Sequence, residues 1–353
     1  MRSRHGWRLA LGIALGLVLL YLFLRGVAWD ELAAAFRSAD KGYLAAVVAA
    51  TVVVYVARAW RWGYLLDPLA RVRFMRLFSA TVVGFMTGLI VPRAGEVVRP
   101  YLVARRHAIR TSAAFATIIL ERLIDLITVL VLFGLYLYVL PAPETQTRGA
   151  LMHVLKVAGG IAGLGALAAL GLLFAFHVHA ERAMAFLDRF IKVLPARLAL
   201  PLSIALRSFG EGLAVLQAPA PRLLLIAGQS VLLWLSIAAG IFFNNLAFGI
   251  GLPFRATFLI IGFLTVGVAV PTPGMVGGFH ESYLLALTQA FGIDKGTAAA
   301  AGIALHALSN LPVLVMGLLL LGGEGLTLGK VAKMADAESG PDGPGDSDGG
   351  GSP

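Results

Sequence analysis

Residues 77–106 read LFSATVVGFMTGLIVPRAGEVVRPYLVARR. The apolar run at its head, 77–91, is 15 residues long. A helix that crosses the hydrocarbon core at 1.5 Å per residue needs about 20. The run stops at Pro92, which lacks an amide hydrogen, and Gly95 permits a turn that a larger residue would resist. An apolar limb, a breaker and a second limb within 30 residues read as a re-entrant hairpin, not a span. The bases that follow point the same way. If 77–91 crossed the membrane, Arg93, Arg99, Arg105, Arg106 and Arg110 would lie outside, and by alternation so would six more between Arg182 and Arg222. That inverts the usual enrichment of Lys and Arg in cytoplasmic loops.

Six stretches outside this one have spanning length: 7–24, 43–66, 112–140, 151–176, 223–248 and 298–321. The first follows Arg2, Arg4 and Arg8 but has no small-x-small cleavage site, so it reads as an uncleaved span. A second short run, 256–270, leads into PTPGMVGGFHESY and is read as a second hairpin. The expected fold is therefore all-α, a polytopic membrane helix bundle of six full spans plus two re-entrant hairpins. Both termini are cytoplasmic, as are 103–110 and 180–217, while 142–148 and 292–296 are external. This arrangement puts 19 of the 29 Lys and Arg inside, seven outside and three (Arg58, Arg61, Arg122) within spans.

Span, span, hairpin, span occurs twice from opposite sides, which makes 1–140 and 151–321 candidate inverted repeats of one transmembrane domain, 1–321. Between the halves, 180–217 interleaves Met184, Leu187, Ile191 and Leu194 with bases. It is either an amphipathic segment on the cytoplasmic leaflet or a solvated linker. The acidic Gly/Asp/Ser/Pro tail, 335–353, has no apolar periodicity and is expected to be disordered.

Composition fits this frame. The 353 residues are 59% hydrophobic and 14% charged, with a mean hydropathy of +0.85, where soluble domains are about a quarter charged. The absence of cysteine removes disulfides, thiolate metal sites, iron–sulfur clusters and cysteine nucleophiles. Net charge is +10, and +15 once the five acids of the tail are set aside. On so apolar a chain this excess points to anionic headgroups before nucleic acid.

Several ionisable residues stand where lipid should be. At the first tip, Glu96 lies three positions from both Arg93 and Arg99. On a helical limb it could hold both guanidiniums, whose planar forks suit phosphate; the alternative is a surface salt bridge in a cytoplasmic loop. The ILERLIDLI stretch puts Glu121, Arg122 and Asp125 inside an apolar run, with Glu121 roughly 14 Å beyond Ser112. Each isolated charge at that depth costs on the order of 2.5–3.5 kcal/mol. These groups must face partners or water, and Arg93 and Arg99 of the first tip are the opposite charges expected to meet them. Arg58 and Arg61, bracketed by Trp60 and Trp62, read mainly as snorkelling arginines in an interfacial belt.

The second tip holds Pro271, Pro273, Gly274, Gly277, Gly278, His280 and Glu281. Its prolines and glycines leave backbone groups free at depth, a helix starting near Gly278 would turn its positive end toward an anion, and His280 and Glu281 add titratable groups. His306 and Asn310, four apart, are expected to form an interhelical hydrogen-bonded pair.

PRAGEVVRPYLVARR, ERLIDL and PTPGMVGGFHE, in this order and separated by long apolar stretches, resemble the lysylphosphatidylglycerol synthase transmembrane-region family of flippase-like proteins. The likeness covers nearly the whole chain to about residue 321. Arg93, Gly95, Glu96 and Arg99 fall on the family's first motif, and Glu121, Arg122 and Asp125 on its second. The third departs from pattern: Pro273-Gly274-Met275 stands where Pro-Gly-Gly is common, and His280 stands near the place of an acid, with Glu281 one residue later.

The resemblance implies a multi-span bacterial or archaeal membrane protein. In one branch this region moves an aminoacylated phospholipid between leaflets, and a separate soluble domain charges the lipid. Only the tail follows the last span here, so synthase activity is expected to be absent. The expected function is movement of a phosphate-bearing lipid or lipid-linked sugar between leaflets of a bacterial cytoplasmic (inner) membrane, with headgroup contacts from the two acid–base motifs. The expected protein is not an enzyme, uses no cofactor or metal, and has phospholipid or isoprenoid-linked lipid as its partner. GxxxxGK[ST] does not occur, so ATP is not the expected energy source. Two rivals stay open. One is a membrane-embedded transferase on polyprenyl phosphates using Glu96, Glu121 or Asp125; the other is a non-transporting partner of an envelope glycosyltransferase.

Overall fold

The computed structural model describes residues 21, 29–92, 94–140, 150–191, 203–204, 207–269 and 272–322. The predicted first span apart from Tyr21, the loop 142–148, the middle of the linker and the tail lie outside them. Every regular element among the described residues is helical.

Helix α1 (Trp29–Ser38) packs against the last helix of the chain. Helix α2 (Lys41–Leu66) begins where Asp40 Oδ1 accepts the amides of Gly42 and Tyr43 at 2.7 and 3.2 Å, satisfying donors that have no partner inside the helix. Helices α3 (Phe74–Ile90) and α4 (Gly95–His107) form a tight hairpin. Helix α5 (Thr111–Gly134) runs on through a π turn at Leu135–Val139. Helix α6 (Ala150–Ile191) breaks at His179 (φ −128°, ψ 31°), one residue before the predicted linker begins. Helix α7 (Ala220–Ala247) follows, then the short pair α8 (Ala256–Ala269) and α9 (Gly278–Leu285), and finally α10 (Lys295–Leu321), capped by Asp294 Oδ1 on the Thr297 amide at 2.8 Å.

Four of these helices are long and apolar enough to cross a membrane: α2, the His153–His179 part of α6, α7 and α10. Helix α5 with its π turn is as long, but Glu121, Arg122 and Asp125 sit in its middle. At 17 and 14 residues α3 and α8 are short, as their sequences require. Large apolar side chains such as Leu164, Leu167, Phe174, Leu224, Val266 and Leu319 point outward and are mostly exposed. An apolar outer surface is what a lipid solvent demands.

The two series of elements pack by exchanging partners. Helices α2 and α7 lie antiparallel along their length: the Asp40 amide meets the Ala247 carbonyl at 2.9 Å at one end, and Arg222 pairs with Asp67 at the other. Helix α3 of the first hairpin packs on α10, where Met86 meets Gly317; α8 of the second packs on α5, where Gly262 meets the Phe133 ring.

Within each hairpin one glycine of the incoming limb presses on one glycine of the returning limb. A Cβ on Gly95 would stand 2.1 Å from the Gly84 carbonyl oxygen, and one on Gly278 would stand 2.4 Å from that of Gly267. Both pairs are 11 residues apart. Gly95 is therefore required for close approach. It opens helix α4 without a positive φ, so the turn role read for it in the sequence is corrected. Close backbone contact through small residues is how helices associate without a hydrophobic driving force between them.

Two polar links fasten the second half. Asn244 Nδ2 donates to Tyr283 Oη at 3.1 Å and to the Ala301 carbonyl at 3.0 Å, while Tyr283 Oη donates to Asn245 Oδ1 at 2.5 Å, joining α7, α9 and α10. Pro312 within α10 has no amide to offer the Leu308 carbonyl, which instead accepts from Thr51 Oγ1 on α2 at 3.3 Å.

Candidate functional site

Glu121 and Asp125 lie one turn apart on α5 and face α2 and α4. Glu121 is fully buried and Asp125 nearly so. Glu121 Oε1 accepts from Arg99 Nη1 at 2.8 Å and from Arg122 Nη2 at 2.6 Å, with Arg61 Nη2 at 3.6 Å. Asp125 Oδ1 accepts from Arg61 Nη1 at 2.7 Å and from Trp234 Nε1 at 3.1 Å; its Oδ2 lies 3.3 Å from Arg122 Nη2 and 3.5 Å from Arg58 Nη1. Arg61 Nη1 also donates to Ser230 Oγ at 2.9 Å. Four helices, α2, α4, α5 and α7, thus converge on two carboxylates. Rings support the cations: the Arg99 guanidinium lies 4.0 Å over Trp62 and that of Arg58 lies 5.0 Å over Phe85.

The cluster borders open space between the hairpin tips. A cavity of about 220 Å³ is lined by Arg99, Arg122 and Glu96 together with Gly88, Leu89 and Pro92 of the first tip and Thr272 and Met275 of the second. A second cavity, about 340 Å³, shares Tyr55, Phe85, Arg122, Val268, Met275 and Asn310 with the first. It adds Arg58, Trp234 and a largely apolar wall from α2, α7 and α8. The two adjoin across these shared residues as a trough, with guanidiniums at one wall and apolar side chains along its length.

The sequence-predicted residues fall into three groups. Arg99, Glu121, Arg122 and Asp125 are together in the cluster. Glu96 is exposed on the cavity wall, and the carboxylate that holds Arg99 is Glu121, where the sequence pointed first to Glu96. Arg93 and Pro271 lie outside the described residues. At the second tip, Pro273 opens a 3₁₀ turn, and Gly274 and Gly277 take φ of +61° and +87°, a region that favours glycine. Met275 takes φ +58°, a region that a side chain rarely adopts.

His280 and Glu281 are not on the trough wall, and Gly278 is pressed against α8. The anion-facing helix end expected there is accordingly not brought to the cluster. His306 Nε2 lies 2.7 Å from the Gly274 carbonyl, and its ring centre is 4.5 Å from that of His280. The expected interhelical hydrogen bonding is thus found at His306, while Asn310 Nδ2 donates within its own helix to the His306 carbonyl at 2.8 Å.

Arg58 and Arg61 correct the sequence reading most. They do not snorkel: Arg61 is fully buried and Arg58 nearly so, and both reach across to α5. A signal was present. Two bases three apart on one apolar helix and two acids four apart on another each make one polar face, and such faces are affordable in lipid only when they meet.

The family model described as lysylphosphatidylglycerol synthase TM region matches residues 9–317, nearly the whole chain. This chain belongs to that family, a family of membrane proteins. It is also 29% identical over 199 residues to a protein of Haloferax volcanii named Glycosyltransferase AglD. The match covers 51% of this chain and 32% of that protein, so the chain spans about a third of the relative's length.

Proposed function

We propose that this chain moves a phosphate-bearing lipid, or a lipid-linked sugar, between the leaflets of a bacterial cytoplasmic membrane without altering it chemically. The observation that carries the reading is the buried arginine cluster opening into a trough between two hairpin tips. A headgroup can sit among guanidiniums there while its chains follow the apolar wall. On this reading segment 7–24 and α5 complete six spans. The α3–α4 and α8–α9 pairs enter from opposite faces and turn back near the midplane, and both termini are cytoplasmic. The reciprocal packing of α3 on α10 and α8 on α5 supports an inverted repeat, whose exchange of positions would present the trough to each leaflet in turn.

Two measurements test this. Mass spectrometry of lipids retained by the purified full chain is expected to find a phosphate-bearing species, and proteoliposomes are expected to exchange that lipid between leaflets faster than empty vesicles. Equal rates would overturn the proposal. The name of the Haloferax volcanii relative favours one other reading, that the chain serves glycosyl transfer to a lipid carrier. Transfer of labelled sugar to a polyprenyl phosphate by the purified chain alone would establish it.

A further inference from the structure

The charge of the cluster specifies more than a phosphate. Among the described residues it contains four guanidiniums (Arg58, Arg61, Arg99, Arg122) and two carboxylates (Glu121, Asp125), an excess of two positive charges. Glu96 also stands on the cavity wall; because it is exposed, water and salt weaken its charge, and it offsets the excess only in part. Three of the arginines (Arg58, Arg99, Arg122) face the trough, and Arg61 stays behind them. Hydrogen-bonding capacity is also left over. Arg99 Nε and Nη2, the parallel N–H edge of that guanidinium, have no acceptor among the described residues, nor does Arg122 Nε. Arg99 is 2% exposed. These atoms, like the unpartnered Glu121 Oε2, are closed off from solvent; what an anionic ligand at the trough relieves is the uncompensated positive charge.

We infer that the trough selects a headgroup carrying two negative charges, a terminal phosphomonoester or diphosphate on a lipid, and rejects cationic aminoacylated headgroups. This rests on the lipid-binding reading above and deepens it. The Arg122 guanidinium, its side chain 37% exposed, and Arg58 present N–H donors suited to phosphate oxygens at the trough, and a dianion meets more of the excess charge than a phosphodiester can. A lysyl headgroup would bring ammonium groups against arginines, with a repulsion that low local dielectric enlarges.

The test uses the full chain in detergent with four lipids of identical acyl chains supplied at equal mole fraction: phosphatidic acid, phosphatidylglycerol, phosphatidylethanolamine and lysylphosphatidylglycerol. Occupancy by native mass spectrometry and thermal shift are the readouts. At pH 8 phosphatidic acid is expected to bind about tenfold or more tighter than phosphatidylglycerol, and the lysyl lipid is expected to give no shift. A phosphomonoester loses its second charge near pH 6, whereas guanidiniums do not titrate. The advantage of phosphatidic acid should therefore be full at pH 8 and vanish by pH 5, with phosphatidylglycerol unchanged.

Glu96→Gln, at an exposed position, should strengthen phosphatidic acid binding, and Arg122→Gln should weaken it. If phosphatidylglycerol or the lysyl lipid binds as tightly as phosphatidic acid at both pH values, the inference falls and lipid binding stands. If no lipid is retained, or if Arg122→Gln leaves all binding intact, the lipid-site reading itself falls. Glycerol 3-phosphate giving the same shift as phosphatidic acid would reassign the site to a soluble phosphate and overturn the inference.

Discussion

Arg61 and Arg122 both reach Glu121 Oε1, at 3.6 and 2.6 Å, yet only Arg122 faces the trough. Their substitutions should separate structure from binding. Arg61→Gln removes the 2.7 Å partner of Asp125 inside the bundle, and breaking a buried pair of this kind costs about 3–5 kcal/mol. Low yield and a lowered melting temperature on fluorescence-detected size exclusion are expected. Arg122→Gln leaves Glu121 held by Arg99 and Arg61, so melting should move by only a few degrees while retained lipid is lost. The 2.8 Å Arg99–Glu121 pair gives a second check. Arg99→Gln and Glu121→Gln should each impair folding, and the double variant should recover stability more than lipid exchange, because contacting residues are not additive. Additive melting temperatures would mean the pair is not coupled.

At the scale of elements, the hairpins are held by what their glycines lack. Gly95→Ala and Gly278→Ala place a methyl group 2.1 and 2.4 Å from a carbonyl oxygen of the opposite limb. The limbs must separate at a cost of about 1–3 kcal/mol, as for other overpacking. Gly163→Ala, on α6 with nothing within 4 Å of the added carbon, should be neutral or stabilising by about 0.5–1 kcal/mol. Thermal melts of the three variants in one detergent test the contrast, and equal melting temperatures would show that the hairpin limbs do not need the close contact. Lengths and ends of helices were legible because each follows from local chemistry. The run of 77–91 is short and meets Pro92, and α2 and α10 end within three residues of the predicted 43–66 and 298–321. The reason for Gly95 was not legible, since a turn glycine and a contact glycine look alike until the opposite limb is in place.

Across the whole molecule, topology is the property that all other proposals need. Single cysteines are uncomplicated here because the chain has none. An impermeant thiol reagent on intact cells should spare Arg71→Cys and Arg105→Cys and modify Lys295→Cys, all three at exposed positions. Labelling of Arg105→Cys would mean that α3 crosses the membrane and would remove the first re-entrant hairpin. By itself the sequence determined that the chain is helical and apolar, where its limbs break, which family it resembles, and that Glu121, Arg122 and Asp125 need partners at depth. Hydropathy, proline position and the cost of a buried charge are properties of short windows. Only the tertiary structure decided who those partners are. Arg58 and Arg61 were read as snorkelling because 64 residues separate Arg61 from Asp125, and a sequence window cannot register which faces of two distant helices meet. It also decided that His280 and Glu281 stand back from the trough and that residues of both tips line one cavity, for a cavity belongs to the packing of elements and to none of them alone.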